Sequence, residues 1–154
     1  MAKQNFINIK NRKARFHYEL LDRYVAGIVL AGTEIKSIRS GKASISESFC
    51  EFNEQGELFA INTYVEEYAQ GNFYNHKPRS VRKLLLNKKE LKKLKRAVES
   101  KGVTIIPLRL FITDKGLAKM EIALAKGKKI YDKRETMKDR DSKRDLARLK
   151  KNFN

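Results

Sequence analysis

Alternating apolar and polar positions along the chain predict several short β-strands. Residues 16–30 indicate a strand, or two with a bend at Gly27, and both faces of its second half are apolar, which favours a central position in a sheet. Residues 44–52 and 57–65 indicate a hairpin, because the polar connection NEQG between them ends in a glycine. Residues 103–112 and 117–125 indicate two more strands joined by the tight-turn sequence TDKG. Pro107 predicts an edge or a bulge, since proline cannot donate to a strand ladder.

The segment GTEIKSIRSGK predicts a short helix between the first strand and the hairpin. Thr33 is the expected cap, and Gly41 lies where a helix of this length would end. Ile35 and Ile38 are three residues apart and are expected to face inward. The exposed face would then carry the polar side chains of Glu34, Lys36, Ser37 and Arg39.

Residues 88–101 give the strongest helical signal. Asn87 is a cap with Glu90 three residues later in the capping-box position, and Gly102 follows the last turn. One apolar stripe is formed by Leu91, Leu94 and Val98, and lysines and arginines cover the remaining positions.

The predicted elements amount to about six short antiparallel strands, one long helix and one or two short helices. This inventory is mainly β with flanking helices and fits a small antiparallel barrel of the oligonucleotide-binding (OB) type. A split sheet with helices on one face is the alternative. Residues 66–80 form a predicted loop that is long for a compact domain, and such loops are often functional or mobile.

Two parts are predicted along the chain: a barrel over residues 1–127 and a basic tail over residues 128–154. The last 29 residues hold 12 Lys or Arg against five Asp or Glu and few apolar residues, so they cannot bury enough surface to fold alone. Leu146, Leu149 and Phe153 are spaced as on one helical face. We therefore expect a tail that is disordered alone and helical on a surface.

The net charge of the chain indicates which class of molecule it binds. The formal net charge of +17 over 154 residues favours nucleic acid first and an anionic membrane surface second. No stretch approaches the roughly 18 apolar residues of a spanning helix, and the N-terminus does not read as a secretory signal. With Cys50 as the one cysteine, no internal disulfide can form, so a cytoplasmic protein is expected.

Catalytic chemistry has few candidate residues. His17 and His76 are the two histidines, and one cysteine leaves the usual structural zinc sets incomplete. A Cys50–His76 nucleophile–base pair is conceivable on paper, but a cysteine within the strand pattern SFCEF is typical of a buried residue. We expect that this protein is not an enzyme and that it binds no cofactor and no metal.

Two clusters combine cations with aromatic residues. KNRKARFHY contains Phe16, and NFYNHKPRSVRK contains Phe73 and Tyr74. Cations contact phosphates and aromatic faces stack on unpaired bases, so both clusters favour RNA. The same composition also suits a structural ribosomal protein with a basic extension, which stays open as an alternative.

Three ordered motifs resemble the SmpB (SsrA-binding) family from about Asn11 to near the end of the chain. NRKARFHYELLDRYVAGIVLAGTEIKSIRSGKASISESF is similar to the family's N-terminal block, HKPRSVRKLLLNKKEL to its central block, and AKGKKIYDKRETMK to its tail entry. The family usually has Glu where this chain has Val25, often has His where it has Phe16, and often has Arg where it has Ser80.

The resemblance implies an OB-type barrel that binds the tRNA-like part of transfer-messenger RNA and carries it to stalled ribosomes in trans-translation. The tail would enter the message channel near the small-subunit decoding region, and we expect a monomer. The implied RNA-binding residues are Asn11, Arg12, Lys13, Phe16, Glu34, Lys36, Ser37, Arg39, His76, Pro78, Arg79, Arg82, Lys83 and Leu85. The implied ribosome-binding tail residues are Gly127, Lys128, Lys129, Tyr131, Asp132, Lys133 and Arg134.

Overall fold

The computed structural model describes residues 7–71 and 75–128. The chain runs through β1 (Asn8–Lys10), α1 (Ala14–His17), β2 (Tyr18–Ile28), α2 (Gly32–Arg39), β3 (Ala43–Ser44), β4 (Phe49–Phe52), β5 (Leu58–Ile61), β6 (Tyr64–Val65), β7 (Arg82–Leu85), α3 (Lys88–Val98), β8 (Val103–Ile112) and β9 (Ala118–Gly127). Within these residues, no helix is long and apolar enough to cross a membrane. The predicted tail from residue 129 onward, together with Phe73 and Tyr74, lies outside the described residues.

Seven strands form one antiparallel sheet in the order β1-β8-β4-β5-β7-β2-β9, and β9 also pairs with β8. That last pairing closes the sheet into a barrel of the OB-like kind predicted from the sequence. β3 and β6 form a separate two-stranded sheet. β2 lies between β7 and β9, which confirms its predicted central position.

The core lies inside the barrel and beneath two of the helices. Ile38 of α2, Leu94 of α3 and Leu110 of β8 are fully buried in one cluster. The capping box of Asn87 and Glu90 is confirmed: the Asn87 side chain accepts from the Glu90 N–H at 2.9 Å. Gly102, with φ +82°, turns the chain from α3 into β8.

Two predictions need correction, and a third, which left two alternatives open, is decided. Residues 14–17 form the helix α1, so the first long strand begins at Tyr18 instead of residue 16. The irregularity in β2 lies between Leu20 and Arg23 in its pairing with β9, not at Gly27. Pro107 lies at a register shift within a strand that has neighbours on both sides, so of the two alternatives the bulge is the correct one.

Candidate RNA interface

A buried ion pair joins α2 to β7. Arg82 Nε donates to Glu34 Oε2, and the two residues are only 3% and 6% exposed. The second carboxylate oxygen, Oε1, accepts from the Ala31 N–H at 2.9 Å and so caps the start of α2. The expectation that Glu34 lies on the exposed face is therefore wrong. Glu34, Ser37 and Ile38 share the inward face, as residues three and four apart do in a helix.

Arg82 also fixes the loop that precedes it. Its guanidinium donates to the carbonyl oxygens of Thr63 at 2.7 Å, Pro78 at 3.1 Å and Lys77 at 3.3 Å. These bonds use the fork of donors that only arginine provides. The sequence expectation that Arg82 faces RNA does not hold, because its side chain is buried among protein acceptors. Arg82 instead positions the 77–79 segment.

His76 ties the same loop to the first turn of α2. Its Nδ1 lies 2.9 Å from Thr33 Oγ1, and its Nε2 lies 3.0 Å from the carbonyl oxygens of both Val65 and Glu66. Carbonyl oxygens only accept, so Nε2 carries the proton and Nδ1 accepts from the Thr33 hydroxyl. Thr33 thus bonds to His76 instead of capping the helix, whose N-cap position is Ala31. Pro78 joins this framework through its carbonyl, which accepts from the Val65 N–H at 2.9 Å.

Three cations project from this framework into solvent. Lys36, Arg39 and Arg79 are all exposed. Lys36 Nζ lies 5.3 Å from the centre of the Tyr68 ring, and Arg79 Cζ lies 5.3 Å from that of Tyr64. These cation–π contacts restrain long side chains without removing their charge. We call Lys36, Arg39, His76, Pro78 and Arg79 the α2–loop surface.

Ser37 is another correction to the predicted exposed face. It is 2% exposed, and its Oγ has no hydrogen-bond partner within the described residues. It faces a cavity of about 200 Å³ beneath the loop that contains Tyr68 and Gln70. Ser37 is therefore placed under the loop and not on the outer face.

The last two predicted RNA-binding residues, Lys83 and Leu85, are in β7. Lys83 forms an ion pair with Glu57, and Leu85 lies opposite Gly27 with 53% of its surface exposed. Hydrogen bonds from Lys83 and Asn53, with the positive charge of Lys83, lower the pKa of the Glu57 carboxyl. Val25 of β2, which pairs with Glu121 of β9, is likewise about half exposed.

The N-terminal cluster lies on another part of the barrel, against the Pro107 bulge. Asn11 donates through Nδ2 to the Pro107 carbonyl at 3.1 Å and through its backbone N–H to the Leu108 carbonyl at 2.8 Å. Arg12 and Lys13, the next two residues, are exposed. Asn11 thus lies between two open clefts and lines both: Lys13 lines one of about 540 Å³, and Arg12 lines one of about 570 Å³. Its Oδ1 is buried without a hydrogen-bond partner among the described residues.

The start of the tail lies beside this cluster. Gly127 pairs with Tyr18, and the Lys128 N–H donates to the His17 carbonyl at 3.0 Å. Phe16 is half-buried, and its ring meets the His17 ring edge-on at 5.1 Å. The structure therefore brings Gly127 and Lys128 next to α1. The remaining predicted tail residues lie outside the described residues, namely Lys129, Tyr131, Asp132, Lys133 and Arg134.

The Cys50–His76 pair is not supported as a nucleophile and base. Cys50 is 3% exposed, and burial raises the pKa of its thiol, which disfavours the thiolate. Both ring nitrogens of His76 are engaged by other groups. Within residues 7–71 and 75–128, no group of three His, Cys, Asp or Glu side chains is placed to hold a metal ion.

Several residues of the framework could not be found from the sequence. The Asn75 side chain forms two hydrogen bonds with the backbone of Tyr68. Its Nδ2 donates to the Tyr68 carbonyl at 2.6 Å, and its Oδ1 accepts from the Tyr68 N–H at 3.1 Å. Asn62, with φ 59°, accepts from Arg79 at 2.7 Å. Neither asparagine has a motif around it. An Asn–Thr pair at a strand end, which favours a turn, is the one weak signal at Asn62.

Comparison with known proteins gives a consistent result. The family model described as "SmpB protein" matches residues 8–152. The SsrA-binding protein of Christiangramia forsetii is 66% identical over 150 residues, covering 97% of this chain and 95% of the relative. That of Flavobacterium johnsoniae is 67% identical over 148 residues, covering 96% and 97%. That of Rhizobium johnstonii is 54% identical over 147 residues, covering 96% and 97%.

A solved structure described as "tmRNA-SmpB: a journey to the center of the bacterial ribosome" contains a similar chain. The TM-score is 0.68 at 47% sequence identity, over 80% of this chain and 86% of that chain. The family model, the relatives and the shared fold all cover most of the sequence. The chain therefore belongs to the SmpB family.

Proposed function

We propose that this protein is an RNA-binding adaptor that recognises the tRNA-like part of transfer-messenger RNA and accompanies it to stalled ribosomes for trans-translation. The observation that carries the proposal is the α2–loop surface, in which exposed cations lie on a framework held by the buried Glu34–Arg82 pair and the hydrogen bonds of His76. Relatives at 66% and 67% identity bear the name SsrA-binding protein, which supports the same partner. The site of action would be the cytoplasm, where ribosomes translate.

The geometry suits recognition by backbone and shape. Contacts with Tyr68 and Tyr64 restrain the positions of Lys36 and Arg79, which fits contact with phosphates at fixed spacing, and Arg39 is exposed one turn along α2 from Lys36. Folded RNA presents its phosphates in a defined arrangement, whereas random RNA does not. Preorganised cations therefore favour one folded RNA over others because less side-chain entropy is lost on binding.

The N-terminal cluster and the tail start suit two further contacts. Lys13 and Lys128 line one cleft, Arg12 lines a second cleft, and Asn11 lines both. We assign Asn11, Arg12 and Lys13 to RNA binding, and the tail of residues 128–154 to contact with the ribosome. The barrel would then hold the RNA partner while the tail reaches the small-subunit decoding region.

The test is a filter-binding titration of the whole protein against three RNAs: the tRNA-like fragment of transfer-messenger RNA, an elongator tRNA and a linear RNA of equal length. We expect preference for the first. Arg79→Gln should weaken that binding by roughly tenfold, as expected for the loss of one charge-assisted contact of about 1.5 kcal/mol. Equal affinity for all three RNAs would contradict the proposal.

A matched control separates specific contact from loss of charge. Lys126 is an exposed lysine near the end of β9, far along that strand from the β8–β9 turn, where Gly116 lies close to Arg39. Lys126→Gln removes the same charge as Arg79→Gln and should leave the preference unchanged. If Lys126→Gln weakens binding to the tRNA-like fragment as much as Arg79→Gln does, the α2–loop surface is not the recognition site.

A further inference from the structure

The outer face of α3 is the most strongly charged surface that the proposed interface does not use. Six lysines and arginines occupy this 11-residue helix, against one glutamate. All six are exposed: Lys88, Lys89, Lys92, Lys93, Lys95 and Arg96. At 100° per residue they cover a continuous arc of about 160° along roughly 12 Å of helix axis.

The opposite face of α3 is committed to the barrel. Leu94 is fully buried, and Leu91 and Val98 pack against the same core. The helix therefore cannot rotate or detach to bury its charges. Its basic face has a fixed orientation relative to the rest of the barrel.

These cations are not neutralised within the part of the chain that the structure describes. None of the ion pairs recorded there involves α3. Glu90, the one carboxylate of the helix, is held at its N-terminus by the Asn87 N–H in the capping box. Lys88 and Lys92, like Lys92 and Arg96, are like-charge neighbours four residues apart, an arrangement that destabilises a helix. A partner with dense negative charge would relieve this repulsion.

We propose that the exposed face of α3 is a second RNA-binding surface that contacts the phosphate backbone of double-helical RNA without reading its sequence. The inference concerns a surface separate from the regions assigned above and adds one RNA contact to the proposed function, on which it rests. Phosphates in a duplex form a regular row of charge, and cations four residues apart on α3 rise by about 6 Å per step along one side of the helix.

Features of the helix favour RNA over an anionic membrane. Helices that lie on membranes insert apolar side chains beside their basic ones. Here the apolar side chains of α3 are used by the core, and the exposed arc is purely cationic. A groove of about 430 Å³ lies beside Lys92, Lys93 and Arg96, and its lining also includes Asp22 and Tyr24. Three cations against one carboxylate give this groove a net positive charge, which suits binding of a phosphate backbone.

The experiment uses the whole protein and a blunt RNA duplex of about 20 base pairs that has no tRNA-like features. Binding is measured from low to moderate salt for the wild type and for Lys92→Gln/Lys93→Gln/Arg96→Gln. We expect the variant to lose about tenfold or more in duplex affinity, and the plot of log K against log salt to become shallower by about 1 for each removed cation.

Two controls make the result specific. Lys92→Arg/Lys93→Arg/Arg96→Lys keeps every charge and should bind the duplex as the wild type does. Lys10→Gln/Lys115→Gln/Lys126→Gln removes three exposed lysines scattered over the barrel and should lose clearly less affinity than the α3 variant. Circular dichroism should show that the α3 variant melts at or above the wild-type temperature, since removing like charges from α3 relieves repulsion, and that both controls stay folded at the assay temperature.

Different outcomes separate this inference from the proposed function. Wild-type preference for the tRNA-like fragment tests the proposed function and does not involve α3. Equal loss in the α3 variant and the scattered control would overturn the α3 surface and leave the proposed function intact. Unchanged duplex binding in the α3 variant, with loss of binding to phosphatidylserine vesicles instead, would also overturn it.

Discussion

Replacing Arg82 should reveal how much the buried bridge between α2 and β7 contributes to stability. In Arg82→Met, the Glu34 carboxylate stays buried without its cation, and three carbonyl oxygens lose a donor. Removing one partner of a buried ion pair costs about 3–5 kcal/mol. For a barrel of this size that free energy corresponds to a melting temperature lower by roughly 10–20 °C.

Thermal and urea unfolding followed by circular dichroism measure this effect. Arg79→Met is the matched control, because Arg79 is a nearby arginine whose exposed side chain makes one hydrogen bond and one cation–π contact. Its loss should cost at most about 1 kcal/mol. The two arginines should also differ in RNA binding, where Arg79→Met weakens affinity in a protein that is still fully folded.

A double-mutant cycle tests the physical reason for the loss. Glu34→Gln keeps an oxygen to accept from the Ala31 N–H but removes the buried charge. Glu34→Gln/Arg82→Met should therefore be more stable than Arg82→Met alone. A double variant that loses the sum of the two single losses, or an Arg82→Met protein as stable as the wild type, would refute the account of a coupled buried pair.

Other features of the barrel lead to further expectations. The pKa of the Glu57 carboxyl should lie below its ordinary range in an NMR pH series and should rise in Lys83→Gln, where the hydrogen bond from Asn53 remains. The stabilising contribution of the Lys83–Glu57 pair is present at neutral pH and is lost as pH falls through the lowered pKa, and a normal titration in the wild type would contradict this. Cys50 should resist thiol reagents at pH 8 until the protein is unfolded, whereas full labelling of the native protein would show that the thiol is accessible. Asn87→Ala should lower the free energy of unfolding by about 1 kcal/mol through loss of the cap, and no change in urea unfolding would count against the capping box.

Local patterns predicted those elements whose signals lie within a few neighbouring residues. The capping box at Asn87 and the glycine after α3 are such signals, and both appear as expected. The short helix α1 was not predicted because its four residues are too few to show a helical period. The backbone bond from Asn11 to the Leu108 carbonyl, which leads into α1, depends on a strand almost a hundred residues away.

The predicted site residues divide by whether their role depends on charge alone or on tertiary position. Lys36, Arg39 and Arg79 are exposed as a basic surface requires. The sequence identified Glu34 and Arg82 as candidate site residues but did not indicate that they are buried. A charged side chain is expected in solvent unless a buried partner for it is known. The bond that buries them joins positions 48 residues apart, and no pattern within either motif indicates it.

Closure of the barrel by β9 also determines when the protein can fold during its own synthesis. β2 ends at Ile28, but its partner β9 begins at Ala118, and β8 likewise has one edge open until β9 is made. At about 5–20 residues per second, β2 waits several seconds for that partner. A chain that stops before residue 118 therefore has two unsatisfied strand edges, which favour aggregation over a partial fold. A truncated messenger RNA for this protein would therefore not yield a partly active barrel. It would yield an incomplete chain that must be removed.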